Sequence, residues 1–187
     1  TISTLTILGS GSADTISATA TNGTTSAFVI NAFGGADIIT GGEFNDWINA
    51  GTGADTVFGG NGNDTVNGHA GNDLLAGLGG NDRLFGGEGN DVLFGDADND
   101  SVDGGSGNDK VAGQAGDDKV SGGSGNDVLY GDSGNDKLVG GSGNDLAEGG
   151  SDNDTMLGGS GDDSIFGNSG NDIVNGENGN DVVVGDS

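Results

Sequence analysis

Aspartate recurs every nine residues along most of this chain, and that file of carboxylates is where any chemistry must lie. The series is Asp37, Asp46, Asp55, Asp64, Asp73, Asp82, Asp91, Asp100, Asp109, Asp118, Asp127, Asp136, Asp145, Asp154, Asp163, Asp172 and Asp181, seventeen in register without a miss. Carboxylates can work as acids and bases, ligate metal ions, or solvate a surface. Carboxylate pairs of the kind used in acid–base catalysis are plentiful, but the repeat already employs them as ligands. Here the same group repeats in the same surroundings, and the chain has one His and no Cys. His69 is read as a tolerated turn variant, no specific Ser/His/Asp set can be built around it, and no catalytic residue is assigned. The aspartates are read as metal ligands.

The residues before each aspartate say which metal. In Gly59-Gly60-Asn61-Gly62-Asn63-Asp64-Thr65-Val66-Asn67 glycine holds positions one, two and four. Glycine enters φ > 0 at little steric cost, and such turns leave backbone carbonyls free to point inward. A cage of carboxylate and carbonyl oxygens suits Ca²⁺, while Mg²⁺ demands a stricter octahedron and keeps its waters. With no Cys and no His cluster, zinc and copper are not expected. The candidate ligands are the seventeen aspartates and the turn carbonyls of Gly60, Gly62, Gly87, Gly89, Gly105, Gly107, Gly123, Gly125, Gly141 and Gly143.

Two residues after each aspartate stands an apolar side chain, from Ile39, Ile48 and Val57 through to Ile165, Val174 and Val183, with Ala147 the smallest. A short strand such as Thr65-Val66-Asn67 would turn its middle residue inward and its neighbours outward. Two nonapeptides then make one coil of 18 residues, with a turn and a strand on each side. The fold class expected is all-β: a parallel β-roll, or two-sided β-solenoid. Coils stacked at the strand spacing of about 4.8 Å make a rod roughly 40 Å long. One turn column holds Asp37, Asp55, Asp73 and onward in steps of 18, and the other holds Asp46, Asp64, Asp82 and onward.

The motif spelled out is G-G-x-G-x-D-x-U-x, with U a large aliphatic. It resembles the RTX (repeats-in-toxin, hemolysin-type) nonapeptide, and the resemblance covers residues 32–187. It implies calcium held between consecutive turns of each column, bridged by their aspartates and by turn carbonyls. Nine turns and eight turns leave about fifteen such positions, whose charge would nearly cancel the net −26 of the chain. The resemblance also implies export through a type I secretion channel, with folding on emergence.

The pattern breaks in places. Position four is Phe44, Asp98 and Asp152 in three repeats, and position one is Ala32 and Ala50 near the start. Aspartate tolerates left-handed geometry moderately and phenylalanine poorly. Weak or missing calcium sites are therefore expected between residues 32 and 55. Residues 1–31 form an N-terminal cap or linker, with β-prone runs at Thr4–Leu8 and Ala27–Asn31 and one degenerate repeat at 9–17. Asp14 lies 23 residues before Asp37, so an insertion separates it from the array. At the other end Gly185-Asp186-Ser187 begins another repeat, which implies a longer parent protein.

Acidic residues number 30 against 4 basic ones. Such a chain repels nucleic acid and anionic membrane surfaces, and no segment has the length of a transmembrane helix. Low hydrophobicity and high charge also mark disordered chains, and here only the order of the residues argues for a fold. Seventeen aliphatics cannot offset the entropy of ordering so long a chain, so the roll is expected to form on metal binding.

The outer strand positions differ between the two sides. After the second column they are mostly polar: Thr65 and Asn67, Ser101 and Asp103, Lys119 and Ser121. After the first they include Leu74, Val92, Val128, Leu146, Val182 and Val184, and Phe58, Phe94, Tyr130 and Phe166 recur every 36 residues. That aromatic ladder is read as a surface for self-association or inter-domain packing. The functional reading is a calcium-dependent structural module of an extracellular or cell-surface protein such as a surface layer, adhesin or filament, secreted without an N-terminal signal peptide. The alternative is the C-terminal module of a secreted protease, lipase or epimerase. Ice binding is less favoured: turn position three is mostly Ser, as at Ser106, Ser124, Ser142 and Ser160, where an ice-binding array would present Thr.

Overall fold

A computed structural model describes residues 5–18 and 27–185, all strand, turn and bend with no helix among them. The first strands are β1 (Leu5–Leu8), β2 (Thr15–Ser17), β3 (Phe28–Asn31) and β4 (Ile38–Gly42). Thereafter a strand begins one residue after each array aspartate, from β5 (Trp47–Thr52) through β19 (Ile173–Asn178) to β20 (Val182–Val184). The odd-numbered strands make one ten-stranded sheet and the even-numbered strands the other. Every pairing is parallel and joins residues 18 apart within the array, as in Val92↔Lys110 and Lys119↔Lys137.

Alternation builds the core. Each strand of the array sends one aliphatic inward, and Ile39, Val57, Leu75, Leu93, Val111, Leu129 and their counterparts from the other sheet are fully buried. The file loosens at the C-terminal end, where Val174 is only partly buried and Val183 is 45% exposed. Full-length strands cover six residues rather than three. The ladder does not stop at the aliphatic; it runs on through the turn glycines, which pair as Gly105↔Gly123 and Gly123↔Gly141.

The N-terminal strands follow the same rule. Strand β2 pairs with β4 as Thr15↔Ile38 and Ile16↔Ile39, a shift of 23 residues that accommodates the insertion. Strand β3 pairs with β5 and β1 with β3, so both sheets continue through Phe28–Asn31 and Leu5–Leu8. Thr4, Asp186 and Ser187 lie outside the described residues.

The outer faces contrast less than the sequence pattern implied. The odd sheet also exposes Trp47 (50%) and Phe85 (38%). On the even sheet, Phe58, Phe94, Tyr130 and Phe166 form one column with Ala76, Ala112 and Glu148 between them. Ala76 and Ala112 are only 6% and 5% exposed although they face outward, because larger side chains flank each in register. The Lys110 ammonium lies 5.5 Å from the Tyr130 ring centre, within cation–π range.

Candidate metal sites in the turns

Each aspartate ends a turn and touches the coil before it. From Asp55 onward its Oδ1 accepts a hydrogen bond from the backbone N–H of the aspartate 18 residues earlier, as from Asp91 to Asp109 at 2.8 Å and from Asp100 to Asp118 at 2.7 Å. One oxygen thus zips the column together. The other has nothing to bind. The Oδ2 atoms of Asp37 and of every array aspartate from Asp55 to Asp172 are buried without a hydrogen-bond partner. An ionised oxygen left so is costly, and it calls for a cation or a proton.

The turn glycines split into two roles. Positions two and four take positive φ throughout the regular repeats, as at Gly105 (φ 103°) and Gly107 (φ 124°). Non-glycine residues there conform: Phe33, His69, Leu78, Asp96, Gln114, Asp132, Asn168 and Glu177 at position two, and Asp98 and Asp152 at position four, lie between φ 66° and 80°. Position one does not share this conformation, and its glycine is needed for room instead. A Cβ on Gly59 would sit 2.6 Å from Asp64 Oδ2 and 2.8 Å from the Gly77 carbonyl of the next coil. That space is the cradle an ion would enter. Ala32 and Ala50 put a methyl into it at the N-terminal end.

Carbonyls differ by position as well. Those at position four, including Gly62, Gly89, Gly107, Gly125 and Gly143, accept no backbone hydrogen bond among the described residues. Gly60, Gly87, Gly105, Gly123 and Gly141 at position two lie inside strands, and the Gly87 carbonyl accepts from Ser106 Oγ at 3.2 Å. Among the described residues no three acidic or imidazole side chains converge on one point. A cation held here would draw most of its oxygens from backbone carbonyls, which suits Ca²⁺.

Burial drives the carboxyl groups towards the neutral form. Asp64, Asp100 and Asp136 are raised to about 7, and Asp73, Asp82, Asp109, Asp127 and Asp154 to about 6. The N–H donated to Oδ1 pulls the other way. For Asp64 and Asp73 the aspartates one coil to either side add to the rise. The columns are thus poised to exchange protons for metal.

A second ladder lies beside the first. From Asn63 onward the residue before each aspartate is Asn or Asp. Its side-chain oxygen accepts from the backbone N–H of the equivalent residue 18 positions later, as Asn108 does from Asn126 at 2.7 Å. The motif leaves this position as x, so a reading built on glycine and aspartate passes over it. The recurrence of Asn there was the available signal.

Parallel coils with a file of desolvated carboxylates and open carbonyls along each edge define a calcium-binding β-roll. The chain belongs to the RTX calcium-binding nonapeptide repeat family, whose model matches residues 29–48, 40–75, 76–111, 112–147 and 148–183. No curated protein matches the chain significantly. RTX repeats bind calcium, and this roll is a calcium-binding structural module.

Proposed function

We propose that the roll is the calcium-dependent structural part of a secreted or cell-surface protein, folding outside the cell as its turns fill. The observation that carries this reading is the file of fifteen buried, unpartnered Oδ2 atoms. In the metal-free roll each is either an uncompensated charge or a bound proton, and calcium supplies the missing partner. The ligands proposed are the array aspartates, Asp46 excepted because its Oδ2 is already hydrogen-bonded, with position-four carbonyls, and up to about fifteen ions. Occupancy is weakest at the N-terminal end, where Ala32 and Ala50 narrow the cradles. Sites with Kd of about 10⁻⁴–10⁻³ M fill in extracellular rather than cytosolic calcium. The strands β1, β2 and β3 cap the N-terminal end of the stack. In this reading the chain catalyses nothing itself.

The even-sheet aromatic column is proposed as its contact surface, with Leu74 and Ile38 extending it. Sedimentation velocity tests both halves of the proposal. In chelator the chain should sediment as an expanded monomer. In millimolar calcium, but not magnesium, it should sediment as a compact rod that self-associates. Phe94→Ser with Tyr130→Ser should leave the compaction and lower self-association at least tenfold. A compact species in chelator would contradict the calcium reading, and undiminished association of the double variant would remove the aromatic column from it.

A further inference from the structure

Two aspartates in register with the columns depart from the rest. Asp46 is buried like its neighbours, and its Oδ1 accepts from the Phe28 N–H at 2.7 Å. Its Oδ2, however, accepts from the N–H of Gly42, at position two of its own turn, at 2.8 Å. Asp14 is the same: its Oδ2 accepts from the Ser10 N–H at 2.6 Å, and Ser10 also holds position two. In both turns positions two and four lie outside the positive-φ set: Ser10 and Ser12 in one, Gly42 and Phe44 in the other. Wherever both positions are left-handed and the aspartate is buried, its Oδ2 is free of hydrogen bonds.

The correlation has a local cause. Position four is glycine or aspartate in all the other turns of the array, and the left-handed region is open to glycine, tolerable for aspartate and costly for a bulky aromatic, a cost that Phe33 bears at position two (φ 75°). Phe44 keeps its turn out of that conformation. The N–H at position two then faces the aspartate and closes on the oxygen that elsewhere waits for a cation. Next to this turn the chain also places Phe28 where the preceding coil would carry an aspartate, and the Phe28 ring reaches to 3.5 Å from where a Gly42 Cβ would stand.

Building on the calcium reading, we infer that Phe44 is a site-closing residue: the 41–46 turn binds no calcium because its own backbone occupies Asp46, and the second column begins to load only at Asp64. The closed turns at 9–14 and 41–46 are then a metal-independent end against which the loading coils stack. The site is latent rather than lost, since Gly41 and Gly42 already supply the glycines of positions one and two.

The test is to count bound calcium ions by native mass spectrometry at saturating calcium in the wild-type chain, Phe44→Gly and Asp46→Asn. Phe44→Gly should bind one ion more than wild type, and Asp46→Asn the same number as wild type. An Asp46→Asn protein short of one ion, or a Phe44→Gly protein that gains none, overturns the inference and leaves the calcium reading standing. A wild-type chain that binds no calcium overturns both.

Discussion

Asp109→Asn should raise the calcium concentration needed to fold the chain and lower the stability of the loaded roll, and Asp109→Ala should do more. Asp109 stands mid-column, buried, with Oδ1 accepting from the Asp91 N–H at 2.8 Å and Oδ2 unpartnered. Asparagine keeps an oxygen for the Asp91 N–H but gives up the charge that would hold an ion. A site with Kd of about 10⁻⁴ M, filled at a hundredfold excess of calcium, contributes about 2.7 kcal/mol. That is the loss expected for Asp109→Asn. Alanine also strands the Asp91 N–H inside the roll, at a further ~1–3 kcal/mol. Thermal unfolding of the two variants and wild type at ~10 mM calcium checks the order. Equal stability of Asp109→Asn and wild type would mean that the carboxylate is only a ladder element.

Acid should partly substitute for calcium. Burial lifts Asp64, Asp100 and Asp136 to about 7 and five others to about 6, whereas an unfolded aspartate titrates near pH ~4. Between those values the folded metal-free chain binds more protons than the unfolded one, so its stability falls as pH rises. The stabilisation is fully present below about pH 4 and is lost as pH climbs through 6 and 7. In chelator, acidification from about pH 7.5 to about pH 4.5 should therefore increase β structure. With calcium present the same protons compete for the same oxygens, so the calcium midpoint of folding should rise as pH drops below about 7. Circular dichroism across a pH series, with and without calcium, reads both trends. A metal-free chain that loses β structure on acidification would show that Oδ2 desolvation is not what opposes folding.

Much of this architecture was legible because the chain states it seventeen times. The nine-residue aspartate period fixed the coil, the two columns and the inward aliphatics, and the 23-residue offset of Asp14 located the insertion that the β2–β4 register accommodates. What escaped was set by backbone geometry rather than composition. Glycines at positions one and two look alike in sequence, yet in the regular turns position one lies against the carboxylate of its own turn, while position two takes positive φ against the carbonyl of the preceding coil, as Gly60 does against Gly42. The Asn or Asp before each aspartate from Asp64 onward reads as a free position until the coils stack and its side-chain oxygen meets a backbone N–H one coil on, as Asn108 does. The Asp46–Gly42 closure depends on where one N–H points, and the sequence marks it only by the bulk of Phe44. The aromatic column was visible as a period of 36, but not that its intervening alanines would be covered.

The central claim is that metal binding and folding are one event, and far-UV circular dichroism during a calcium titration from chelator upward tests it most directly. A disordered spectrum is expected in chelator, with a cooperative rise of β signal near millimolar calcium that magnesium does not reproduce. A full β spectrum in chelator at neutral pH, unchanged by calcium, would contradict it, because the fifteen unpartnered carboxylate oxygens would then not be an obstacle the ions remove.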